Sequence, residues 1–250
     1  MDRPRLILLA EASVDGRITL APGVLVMFGD ERWEAVAGPG SIYDELRSFY
    51  QPQACLEGSA SLVTEDADPD PLPPVNDDPM ELYQNYLPDS VVRRAGHRGW
   101  FTVVDGRGRV RWAYKEWPEE DWTGWHLLVL VAQGTPAEYL AYLRRETIPY
   151  LVAGDERVDL GRALQIMKKQ LGVERVLSTS AGKLGGALLR AGLVDEVNVE
   201  FFPAVIGGYR TPSLFDSPEL KANEWPTRLR LISAQVQVSG RVWLRYEVLS

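Results

Sequence analysis

RVLSTSAGKLGGALLRAGLVDEVNVEFF, residues 175–202, decides the fold. Arg175–Leu177 reads as a short strand. Ser178 to Gly182 is a run of small residues. Lys183–Ala191 has the composition of a helix, and Gly192 supplies the residue that most readily adopts the left-handed conformation closing one. Val197–Phe202 is again a strand. A strand, a helix and a strand in so short a span imply a right-handed crossover between parallel strands.

The same alternation extends upstream. Leu127–Val131 predicts a strand, and Thr135-Pro136 caps and starts a helix running to about Glu146. Tyr150–Ala153 is a further strand. Asp159 opens a helix whose Leu160, Ala163, Leu164, Met167 and Leu171 recur on one face, with Gly172 as its stop. Near the N-terminus, Arg5–Ala10 is a continuous apolar run, as a strand buried on both faces requires, and it ends in the turn signal Ser13–Gly16. Ser41 predicts an N-cap for a helix over about 42–50, with Ile42, Leu46 and Phe49 on one side. Ala54–Leu56 is a second short strand.

Two regions break the rhythm. From about Glu65 to Arg98 periodicity is lost in a proline-rich acidic loop, after which Phe101–Val104 and Arg109–Trp112 flank Asp105-Gly106-Arg107-Gly108 as a predicted hairpin. At the C-terminus, 229–238 and 242–248, joined through Ser239-Gly240, predict an antiparallel pair. The expected architecture is α/β, a mostly parallel central sheet with an antiparallel C-terminal edge and flanking helices. It forms one domain over 1–250 with an irregular acidic and tryptophan-rich insertion at about 65–126.

Composition narrows function. Of a net charge of −8, nearly all comes from seven acids between Glu65 and Glu81, where no Lys or Arg intervenes. The remainder is close to neutral and carries no basic stripe, which argues against nucleic acid or anionic membrane as a partner. One cysteine, Cys55, an N-terminus without a cleavage pattern and no apolar run of membrane length together predict a cytoplasmic protein. His97 and His126 lack metal spacing, so no metal site is expected, and packing or surface roles suit them better than catalytic ones. The tryptophans at 100, 112, 117, 122 and 125 suit a core or a dimer surface, or less often a base-stacking platform.

The chemistry-bearing candidate is Ser178-Thr179-Ser180-Ala181-Gly182-Lys183-Leu184-Gly185-Gly186, between a strand's carboxyl end and a helix N-terminus. Ligands bind there in open α/β sheets, and helix-start N–H groups favour phosphate. Small residues let a backbone approach a pyrophosphate closely; they serve tight packing equally well. The run is neither G-x-G-x-x-G nor a P-loop. A second small-residue turn, Gly58-Ser59-Ala60-Ser61, also follows a strand. Two such turns suit a split nucleotide site, or else two unrelated tight turns.

These motifs resemble the reductase domain of the bifunctional riboflavin-biosynthesis deaminase–reductases and its stand-alone bacterial, archaeal and fungal relatives. Gly185–Glu196 is similar to the family's NGALLRAGLVDE, followed by Pro203–Gly208 and Thr211–Phe215. Ala12–Ile18 resembles the opening S-x-D-G-K/R-I element, and Leu46-Arg47 with Gly58–Asp66 more loosely matches LR…VGxGTVxxDDP. The stretch 75–126 carries no strong family motif. The resemblance implies a dihydrofolate-reductase-like fold, NADPH as cofactor, a homodimer, and hydride transfer to C1′ of a ribosylaminopyrimidine 5′-phosphate. It implies that the protein mainly positions the reactants, with no catalytic side chain assigned. By position it implies cofactor contacts at Glu11, Gly58, Ser59, Ser61, Glu65, Ser178, Ser180, Ala181, Gly182, Lys183 and Leu184, and substrate contacts at Asp15 and Thr179.

The chain departs from the family inside that site. Thr179 stands where the family has a glutamate contacting substrate, Glu11 where a small residue is usual, and Ala132-Gln133-Gly134 where relatives often place a group for the 2′-phosphate. The zinc ligands of the deaminase domain are missing. Three readings follow: a riboflavin-pathway reductase, a paralogous NAD(P)H reductase of another pterin, pyrimidine or carbonyl compound, and a non-catalytic dimeric scaffold.

Overall fold

The computed structural model describes residues 2–25, 29–38, 40–64, 66–75, 79–116 and 119–249. In chain order they form β1 (Arg5–Ser13), α1 (Glu31–Ala37), α2 (Ile42–Tyr50), β2 (Ala54–Gly58), α3 (Pro79–Leu82), α4 (Asp89–Val92) and β3 (Gly99–Val104). There follow β4 (Trp125–Val131), α5 (Ala137–Arg145), β5 (Tyr150–Val152), α6 (Leu160–Leu171), β6 (Arg175–Ser178), α7 (Gly182–Arg190), β7 (Glu196–Phe202), β8 (Arg228–Val236) and β9 (Val242–Leu249). The chain forms two compact units: Pro52–Val176 with the N-terminal residues up to Pro4, and Arg5–Gln51 with the residues from Leu177 onward. β6 crosses that division. None of the described helices is long and apolar enough to span a membrane.

In the first unit, β2, β3, β4 and β5 lie side by side and every pair is parallel. β4 is buried along its whole length, which is why its sequence is apolar without alternation. α6 follows the sequence reading closely. Asp159 accepts a hydrogen bond from the Arg162 N–H, Ala163, Leu164 and Met167 are buried, and Gly172 caps the end in the left-handed conformation. For α5 the capping residue differs from the expectation. Pro136 occupies the cap, while the Thr135 hydroxyl accepts from the Ala132 N–H and donates to the Gly106 carbonyl, bracing the turn before the helix.

The hairpin expected at 101–112 does not form. β3 is already flanked by β2 and β4, so it has no free edge to offer Arg109–Trp112. Asp105, 1% exposed, accepts instead from the N–H groups of Arg109 and Val110, both at 2.9 Å. The Asp-Gly signal marked a real turn whose exit is irregular. Trp100 and Trp125 are buried in this unit, and Trp122 packs edge-on against Phe101 and Trp125. Trp112 donates to the Tyr139 hydroxyl. Trp100 and Trp125 belong to the core, and Trp112 and Trp122 are half-buried against it; Trp117 lies outside the described residues. His97 and His126 are packed too, their Nδ1 atoms 3.0 Å apart and both rings against Trp100.

In the second unit, β1 and β7 are parallel, while β7, β9 and β8 are antiparallel with β8 at the edge, as the C-terminal reading predicts. Ser41 caps α2 by accepting from the Tyr43 N–H. Ile42, Leu46 and Tyr50 pack onto Ile7, Leu9, Leu177 and Trp243. Phe49, expected on the packed side, is 70% exposed; one helical step places Tyr50 inward in its stead. α1 was not foreseen. Asp30 caps it, and Trp33 and Ala37, one turn apart, bury against Phe202.

Candidate functional site

In the second unit, three sequence motifs converge on one residue, Leu214. The Leu214 N–H donates to the Gly16 carbonyl at 3.1 Å, and the Leu214 carbonyl accepts from the Gly182 N–H at 2.8 Å. The 12–18 loop, the 211–215 segment and the first residue of α7 are therefore tied through a single residue. Two further bonds reinforce the link: the Ile18 N–H donates to the Pro212 carbonyl, and Arg17 Nη1 to the Thr211 carbonyl at 2.8 Å.

Asp15 is the fastener of the same assembly. Its Oδ1 accepts from the Ser13 hydroxyl at 2.6 Å and the Ile206 N–H at 3.1 Å, and its Oδ2 from the Gly207 N–H at 2.7 Å. The Ser13 hydrogen bond, followed by the two backbone donors, holds the carboxyl down to about 2, so it is ionised at any physiological pH. The Asp-Gly pair thus orders the 203–208 segment as well as its own turn.

The turn after β6 has a buried and an open side. Ser178, Ser180 and Gly182 are buried, Thr179, Ala181 and Leu184 are half-buried, and Lys183 is exposed. Gly182 has φ +58°, the left-handed conformation that favours glycine, and a Cβ there would sit 3.2 Å from the Ile18 side chain. The cap residue of α7, Ala181, gives no side-chain hydrogen bond to the helix start. The glycine pair serves packing: a Cβ on Gly185 would meet the Ser180 carbonyl at 2.4 Å, and one on Gly186 the Asp216 carbonyl at 2.3 Å.

Glu11 lies in the same unit, near the carboxyl end of β1 and opposite Glu200 of β7 in the strand register. In the first unit, Gly58, Ser59 and Ser61 form the expected tight turn after β2, in which the Ser59 carbonyl accepts from the Leu62 and Val63 N–H groups. Glu65 lies outside the described residues. The fold therefore brings Glu11, Asp15, Thr179 and the 178–184 turn into one unit. Sequence reasoning missed Leu214 as the bridge and Glu200 and Arg241 as the neighbours of Glu11. No local pattern marks a contact between segments so far apart in the chain.

The comparison with protein families falls on this framework. Residues 4–243 match the RibD C-terminal domain. The chain belongs to that family. A 2,5-diamino-6-ribosylamino-4(3H)-pyrimidinone 5′-phosphate reductase of Methanothermobacter thermautotrophicus is 28% identical over 229 residues, 92% of this chain and 91% of the relative. The enzyme of the same name from Archaeoglobus fulgidus is 32% identical over 114 residues, 46% of this chain and 49% of its own. Among solved structures, a pyrimidine reductase-like protein from Corynebacterium diphtheriae shares the fold with a TM-score of 0.65 at 17% identity, over 99% of this chain and 92% of its own. RibD of Acinetobacter baumannii does so with a TM-score of 0.62 at 18% identity. This chain is covered throughout but spans 59% of that RibD chain.

Proposed function

We propose that this RibD-family chain is an NADPH-dependent reductase acting on 5-amino-6-(5-phosphoribosylamino)uracil or its 2,5-diamino pyrimidinone analogue, reducing ribose C1′ in riboflavin biosynthesis. The observation that carries the reading is the family match through residues 4–243, which takes in both units, together with the archaeal reductase aligned over nearly the whole chain.

The turn after β6 suits a dinucleotide diphosphate in one respect: the cap residue Ala181 gives the start of α7 no side-chain hydrogen bond, as at a helix N-terminus that meets an anion. Ser178, Ser180, Ala181, Gly182, Lys183 and Leu184 would hold the diphosphate, with Glu11 toward the nicotinamide. Asp15 and Thr179 are proposed on the substrate side, Asp15 by ordering the loops around it. In the first unit the turn at Gly58, Ser59 and Ser61 is a second proposed place of cofactor contact. When bound, the reduced nicotinamide supplies the hydride; the chain's own residues orient the reactants and exclude water.

Thr179, in place of the family's glutamate, favours a second reading: a paralogous reductase of another pterin, pyrimidine or carbonyl compound. NADPH oxidation measured across these substrates separates the two. Under the first reading the ribosylaminopyrimidine phosphate is turned over; under the second it is not, although NADPH still quenches tryptophan fluorescence. Failure of NADPH to quench at all would leave the non-catalytic scaffold. We also propose a homodimer, on the ground that β8 exposes Leu229, Leu231, Ile232 and Val236. A monomeric mass by light scattering would end that part of the proposal.

A further inference from the structure

The face of β1 and β7 beneath α2 buries a row of polar side chains at successive inward positions of β7: Glu196, Asn198 and Glu200 are each no more than 1% exposed. The first two are well satisfied. Glu196 accepts from Arg5 Nη2 at 3.0 Å and Arg245 Nε at 2.8 Å, and Asn198 accepts from Trp243 Nε1 at 3.0 Å. Glu200 is not. Among the described residues neither of its oxygens has a donor in good hydrogen-bond geometry, though the Arg241 guanidinium lies 3.3 Å from Oε1 and the Ile42 N–H at the start of α2 points toward it. Arg241 directs its Nη1 hydrogen bond to the Gly40 carbonyl, at 2.7 Å.

A fully buried carboxylate so poorly supplied with donors calls for another. Among the described residues Glu11 is placed to provide it, directly opposite on the neighbouring strand and hydrogen-bonded to Glu200 when it carries a proton. Two carboxylates side by side in a dry place do not both ionise near neutrality. Burial first, then the charge of Glu200, pushes Glu11 up to about 7 against the opposing pull of Arg241. Glu200 is raised as well, by burial first, with Arg241 opposing and Glu45 of α2 adding to the rise. Among the described residues, Glu45 and Arg241 are the other charged groups facing the pair. Glu200 is sealed, whereas Glu11 keeps part of its surface open at the carboxyl end of β1, where open α/β sheets take their ligands.

We propose that Glu11 and Glu200 share one proton at neutral pH and that Glu11 gives it to the substrate during reduction, with Glu200 and Arg241 as positioning residues. The role rests on the reductase reading above and goes beyond positioning alone. In reducing a carbon–nitrogen double bond with a reduced nicotinamide as hydride donor, carbon takes the hydride and nitrogen a proton. The Glu11 O–H bond breaks as an N–H bond forms, and the resulting Glu11 carboxylate regains its proton from water at its open edge.

The first test needs no ligand. In pH-dependent infrared difference spectra, the protein without cofactor should show a protonated-carboxyl band at neutral pH that fades as pH rises through about 7. The band should be absent in Glu11→Gln, and in Glu200→Gln it should fade at lower pH, because the repelling charge is gone. In turnover, Glu11→Gln should lower kcat roughly 100- to 10,000-fold, the range for loss of a positioned acid. The fall in rate above neutral pH should disappear. No band in the wild type, or a Glu11→Gln enzyme with unaltered kcat and pH profile, overturns the dyad while the reductase reading stands. A wild type that shows the band yet reduces none of the candidate substrates overturns the reductase reading and the delivery role together.

Discussion

At the scale of single residues, the small-residue run after β6 divides its labour. Gly182 is glycine for its left-handed φ of +58° beside Ile18, whereas Gly185 and Gly186 are glycine because the chain itself crosses there. Gly186→Ala would drive a methyl group into the Asp216 carbonyl and carbon, at 2.3 and 2.9 Å, and backbone cannot yield as a side-chain tip does. Its stability in urea should fall by about 1–3 kcal/mol, the range for overpacking; an unchanged midpoint would mean that the 213–217 segment moves freely. Asp15 acts in the opposite sense, through charge. Its carboxyl is depressed from 3.8 to about 2, so its contribution is present above pH 4 and lost as pH falls toward 2. Asp15→Asn should therefore melt below the wild type at neutral pH, with the gap closing in that acid window.

At the scale of elements, the caps are the parts most readily checked. Ser41→Ala and Asp159→Ala each remove the acceptor for a helix-start N–H and should each destabilise by about 1 kcal/mol in chemical denaturation. Since α2 and α6 lie far apart in the chain and in different units, the double variant should lose the sum of the two. A much larger loss would show that one of the side chains does more than cap. α2 and α6 were legible because a cap and a 3.6-residue period, with a stop glycine after α6, are all local. The Asp105-Gly106 turn was legible for the same reason, yet its consequence was not. Whether a second strand can pair with β3 depends on what already lies beside it, and β2 and β4 come from either side of it in the chain.

At the scale of the whole molecule, Glu11 links stability to pH. Between 4.5 and about 7 the folded chain holds a proton there that the unfolded chain has released, so stability declines as pH rises across that window. Glu11→Gln removes the linkage, and its denaturation midpoint plotted against pH should be flatter from 4.5 to 7 than that of the wild type. Equal slopes would place the titrating group elsewhere.

The sequence by itself determined the α/β class, the helices α2, α5, α6 and α7, the antiparallel tail and the run that identifies the family, since each rests on neighbours a few residues apart. Only the tertiary structure decided that Leu214 ties Gly16 to Gly182, that Tyr50 rather than Phe49 turns inward, and that Glu11 meets Glu200. The physical reason is range. Hydrophobic period and capping act within a turn or two, whereas the proton affinity of a buried carboxylate is set by whichever charges the folded chain places within a few ångströms of it.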